Sequence, residues 1–222
     1  MLSKFLMSAS SIPRSLDFIA ASYYTSTTAV SSVTFSGVSI GAADSTRVVI
    51  VGVYAGAAAA RTITSVTADG TSMSLFTKLD NDLTMGGFYY LSIPSGTTAT
   101  FVANFSGTVS PAALVVYSVK NWNAISLFDS KAAFGTAAAR SDTVTTAQNG
   151  AVLVLGANYT GGSSSTGNVT NLDLEDANTA LRTTTRFIAG HSVGVSSGSL
   201  TAGITYSRTA TVNSPLIILS LN

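Results

Sequence analysis

The chain contains no cysteine, which excludes disulfide staples, thiolate metal sites and a cysteine nucleophile. Charge is nearly as scarce. Asp, Glu, Lys and Arg together make up 9% of the 222 residues, against about a quarter in an ordinary soluble domain. Net charge is +1, with no basic stripe to neutralise a phosphate backbone, so nucleic acid is not an expected partner. Mean hydropathy is positive at +0.41, yet no run reaches the roughly 18 apolar residues that a spanning helix needs, and no membrane is expected. Helical periodicity is missing too. Apolar residues seldom recur at i, i+3, i+4 and i+7, and Glu and Lys are almost gone.

What remains is small residues interleaved with Val, Ile, Leu, Phe and Tyr. From residue 31 onward one theme repeats: a strand-length apolar or alternating segment, then a turn rich in Gly, Asn, Asp or Ser. Val33 to Ile40 alternates, so one face is expected to be buried. Val48 to Tyr54 is apolar almost throughout, which predicts cover on both faces or a place at an interface. Asp69-Gly70 is a strong hairpin signal. Further strands are expected at 85–93, 99–105, 113–119, 126–131, 142–146, 151–159, 169–174, 183–195, 200–206 and 215–221. The fold class this implies is all-β: a two-sheet antiparallel sandwich of jelly-roll type with an extended N-terminal arm. The expected organisation is an arm and linker over 1–30, for docking on a partner, and one β-sandwich over 31–222. A signal peptide is not expected, because the apolar start is broken by serine too early for an h-region.

Chemistry-bearing residues are few. The single histidine, His191, has Ser192 and Asp176 available on paper, but no Gly-x-Ser-x-Gly elbow marks a nucleophile. Its place in an alternating strand predicts an outward polar residue. The acidic groups Asp80-Asn81-Asp82 and Asp173-Leu174-Glu175-Asp176 offer oxygen ligands for calcium, yet neither matches the twelve-residue calcium loop, and turn roles explain them. Glu175, the only glutamate, has no distinctive carboxylate partner for glycoside hydrolysis. No catalytic residue, metal or cofactor is assigned, and no enzyme is expected. Trp122 between Asn121 and Asn123 is the candidate glycan-binding group, a ring flanked by amides. Leu2, Phe5, Leu6 and Met7 form an apolar arm that is costly in water unless it docks on something.

Several segments carry a likeness to a known group of proteins. They are the start Met1-Leu2-Ser3-Lys4-Phe5-Leu6-Met7 and the segments Val33 to Gly41, Arg47 to Val53, Pro94 to Phe101, Val115 to Val119 and Ala151 to Gly156. Together they resemble small structural proteins of tailed bacteriophage virions. The resemblance implies a jelly-roll-like domain held on the particle by a short N-terminal arm. Its place would be a head decoration, a spike or a minor tail component, and its partners the major capsid protein or other virion proteins. A homo-oligomer located in the virion is expected. The other expectation, of a different kind, is a carbohydrate- or receptor-binding module on the tail that meets a host glycan.

Overall fold

The computed structural model describes residues 14–80, 82–122, 125–159, 165–210 and 214–222. They form strands and turns only, so the all-β antiparallel class holds. The expected single sandwich over 31–222, however, is two sandwiches joined in tandem, and the first begins well before residue 31.

The N-terminal half contains β1 (Ser15–Tyr24), β2 (Val30–Ser39), β3 (Val48–Arg61), β4 (Ile63–Ala68) and β5 (Thr71–Ser72). It continues with β6 (Ser74–Leu79), β7 (Asp82–Ser92), β8 (Thr98–Val109) and β9 (Ala112–Lys120). The C-terminal half contains β10 (Leu127–Gly135), β11 (Ala139–Thr146), β12 (Gly150–Tyr159) and β13 (Gly167–Thr170). It is completed by β14 (Leu174–Arg182), β15 (Thr185–Val195), β16 (Gly198–Tyr206) and β17 (Ser214–Leu221). One expectation is corrected at the first strand. Residues 15–24 are not a linker but an edge strand paired along β9, because Leu16 turns into the core and is 3% exposed.

Each half has an inner and an outer sheet. The inner sheets run β1-β9-β3-β7-β6 and β10-β17-β12-β15-β14; the outer ones run β2-β8-β4-β5 and β11-β16-β13. Apart from the two-residue β5, the orders correspond strand for strand: β1 to β10, β9 to β17, β3 to β12, β7 to β15 and β6 to β14. The chain is therefore one topology built twice. The two inner sheets pack face to face along a seam, giving four layers and three cores.

That stacking explains the hydrophobic strands. Successive side chains of a strand point to opposite faces. In β3, Val49, Val51, Val53 and Ala55 enter the N-terminal sandwich core while Ile50 and Tyr54 enter the seam. In β12, Leu153 and Leu155 enter the seam while Val152 and Val154 face the C-terminal outer sheet. With both faces dry, no position can be polar cheaply. Across the seam β1 meets β14, β3 meets β12 and β6 meets β10. Exchanging the halves maps these three contacts onto themselves, as in an isologous pair, but the β7–β17 contact has no equal counterpart between β15 and β9, so the two-fold is only approximate.

Two local devices hold the ends. Asp69 and Gly70, at φ 46° and 80°, make the two-residue turn between β4 and β5 that the Asp-Gly pair predicts. Arg47 is fully buried and serves as a hub. Its Nε donates to the Ile93 carbonyl, Nη1 to those of Ile40, Gly41 and Ala42, and Nη2 to those of Ser95 and Gly96. It thus ties the turn before β3 to the turn after β7.

The centre of the seam is a knob in a hole. A Cβ on Gly52 would lie 2.7 Å from Leu155 Cδ1, 2.8 Å from Val115 Cγ2 and 3.0 Å from Phe88 Cε1. Gly52→Ala is therefore expected to cost about 1–3 kcal/mol by overpacking, read by urea unfolding. Combined with Leu155→Ala, which empties the same space, it should cost less than the sum of the two changes by more than about 0.5 kcal/mol. Simple additivity would show that these side chains do not share the space.

Candidate functional site

A cluster of ionisable side chains inside the seam joins the two halves. Tyr117 comes from β9 of the N-terminal half; Asp176 and His191 come from β14 and β15 of the C-terminal half. His191 Nδ1 lies 2.8 Å from both carboxylate oxygens of Asp176, and the Tyr117 hydroxyl donates to Oδ2 at 2.9 Å. Both the carboxylate and the imidazole are 3% exposed, and Tyr117 is fully buried. The Tyr117 and His191 rings meet edge to face at 5.6 Å. Burial, then the negative charge of Asp176 and its hydrogen bond, push the Tyr117 phenol well above its ordinary pKa, so it remains a donor.

The backbone aims the carboxylate. Register between β14 and β15 slips between Glu175 and Ala177, and the extra residue is Asp176. A bulge of this kind re-aims a side chain, here into the seam. His191 is thus not the outward polar residue its strand position predicts; its alternating face is turned onto a second sheet. Ser192, its neighbour, necessarily points the other way, and its Oγ accepts the Asp173 N–H at 2.8 Å. The Ser-His-Asp arrangement is not assembled. What the cluster does chemically is hold a carboxylate between donors from both halves.

The remaining candidates separate. Trp122 is 6% exposed, packed in the seam core, with the Arg14 guanidinium 5.4 Å from its ring centroid. Its faces are taken, and it offers no open platform to a sugar. Asn121 is a turn residue at φ 59° whose N–H donates to Thr46 Oγ1. Asn123, Asn81 and the arm residues Leu2, Phe5, Leu6 and Met7 lie outside the described residues. Asp80 accepts from Lys78 Nζ at 2.6 Å and from the Ile63 N–H, so it clasps β4 to β6. Glu175 accepts from Asn178 and from the Val169 N–H. Among the described residues no three His, Asp or Glu side chains gather as a metal site.

The structure adds a feature that strand periodicity did not reveal. The edge strands β6 and β10 lie side by side on one flank of the seam. There Leu75, Leu127 and Phe128 are exposed, at 47%, 41% and 45%. On the opposite flank, formed by β1 and β14, Tyr23 and Leu174 are exposed. Which strands are edges depends on the order of the sheets, so alternation along the chain carries no signal for it.

No protein-family model matches the chain, and no curated protein matches it. A similar solved structure is the crystal structure of the PBSX exported protein XepA, 12% identical over 94% of this chain and 86% of that one, with a TM-score of 0.27. Identity and superposition at this level are too low to transfer a role.

Removing the Tyr117 hydroxyl tests the cluster. Tyr117→Phe keeps the ring but takes one donor from a buried carboxylate, with an expected loss of about 1.5–3 kcal/mol in denaturant unfolding. The same change made in an Asp176→Asn background should cost clearly less. Equal costs in the two backgrounds would mean that the hydroxyl and the carboxylate are not coupled.

Proposed function

We propose that the protein is a non-enzymatic structural component of a phage particle. In this reading it decorates or projects from the capsid as a homo-oligomer, and Leu2, Phe5, Leu6 and Met7 anchor it on the major capsid protein or another virion protein. Each half is read as a jelly roll, since its last strand lies beside its first and its next-to-last beside its second. The observation that carries the reading is the β6/β10 flank. Two open sheet edges with outward Leu75, Leu127 and Phe128 are an association surface. The scarcity of charge supports it as well, because little repulsion opposes close packing of many copies. The sequence likeness to virion structural proteins points the same way. The tail-borne glycan-binding alternative rested on Trp122, whose burial in the seam gives that reading no support.

Copy number of the chain in purified particles, by quantitative mass spectrometry against the main shell protein, is the direct test. A stoichiometric number is expected, and absence from particles would overturn the proposal. Deleting residues 1–12 should leave unfolding unchanged, because the described strands from Ser15 onward are kept whole, while particle occupancy falls to background. Full occupancy by the truncated chain would refute the anchor. Leu127→Lys with Phe128→Lys should reduce self-association in sedimentation velocity without lowering stability; an unchanged oligomer would remove the flank from the assembly.

A further inference from the structure

We propose that the cavity at the end of the seam, where β3 and β12 emerge together, binds a small carboxylate ligand through Arg182. The inference stands apart from the virion reading and does not need it.

The cavity measures about 320 Å³, the scale of a small-molecule site. Both halves build it. Gly56, Ala57 and Ala58 of β3 and Ser110 contribute from one side, Tyr159 and Arg182 from the other. Small side chains on β3 leave the space open. Arg182 supplies the charge. Its Nη2 donates to the Ser26 carbonyl and to Ser110 Oγ, which fixes the guanidinium in place. Among the described residues its buried Nε has no hydrogen-bond partner and no carboxylate lies within ion-pair distance of it. A held, partly desolvated guanidinium with an unused donor is an incomplete ion pair.

A second unpartnered donor lies at the same end. The Tyr54 side chain is fully buried and its hydroxyl has no hydrogen-bond partner among the described residues. That oxygen would be 3.5 Å from a Cβ placed on Gly56, so it stands directly behind the cavity wall. Burial raises the phenol above its ordinary pKa and keeps the proton on it. Buried donors left without acceptors are rare in folded proteins and call for an occupant. A carboxylate supplies acceptors and a single negative charge to match a single guanidinium. Phosphate brings more charge than this site offsets, and a neutral sugar leaves the cation unpaired.

Isothermal titration of the full chain with acetate, glucuronate, glucose and inorganic phosphate tests this. Saturable millimolar binding of glucuronate, acetate or both is expected, with none for glucose and weaker binding for phosphate. Glucuronate alone would identify the acid group of a sugar; acetate binding equally well would identify a free small acid. Arg182→Gln should weaken binding at least about tenfold. Ala58→Phe, at an exposed lining position that leaves the guanidinium and its contacts in place, should block the cavity and abolish binding while the melting temperature holds. The proposal is overturned by no saturable carboxylate binding in the millimolar range, by glucose matching glucuronate, or by Ala58→Phe binding like the wild type. Phosphate binding without carboxylate binding would overturn it too.

Discussion

Everything in this molecule depends on a seam that must stay dry. Two five-stranded sheets face one another, and each is covered on its other side by an outer sheet. The central strands therefore have no wet face, and their side chains are apolar at nearly every position. Each large side chain in the seam contributes roughly 1.5–3 kcal/mol of burial, so the halves have no reason to part. Charge is squeezed onto turns, outer faces and edges. The low content of ionisable residues is in this light a consequence of architecture as much as of assembly.

A seam of aliphatic side chains alone would tolerate sliding. The Tyr117–Asp176–His191 cluster removes that freedom, because any other register leaves a carboxylate buried away from its donors, a loss of about 3–5 kcal/mol when a partner is missing. The knob of Leu155 over Gly52 acts in the same direction by shape. One device is polar and one steric, and both sit between the halves. Arg47 does comparable work at one end of the N-terminal sandwich, with carbonyls in place of a carboxylate.

Much of the strand pattern was legible before the structure. The unbroken apolar run at Val48 to Tyr54 announced a strand with two dry faces, and Asp69-Gly70 announced its hairpin. The duplication was not legible, because the halves share an order of strands and not a pattern of residues: at the centre of the seam one half places Gly52 where the other places Leu155. β14 was missed since Leu174 to Arg182 is polar and lies at an edge. His191 was assigned to the wrong side for a related reason. Alternation tells which residues share a face, but not whether a second sheet covers it. Trp122 was misread in the same way, its amide neighbours suggesting a platform where Arg14 and the seam enclose the ring. Arg182 carried no local signal, as its environment comes from Ser26 and Ser110, both distant in sequence.

The order of strands also sets a timetable. In each inner sheet the last strand of the half lies between the first and the third, as β1-β9-β3 and β10-β17-β12. Neither sheet can close until its final strand has been synthesised, and pairing across such separations is intrinsically slow. The N-terminal half becomes complete at Lys120, and its seam face then waits for a partner that is finished only at Leu221. During that interval Ile50, Tyr54 and Val115 face water on a sheet that is formed but not yet covered, which is the period of greatest exposure to aggregation. Once β9 and β17 have inserted, unfolding either half requires withdrawing a strand held on both sides.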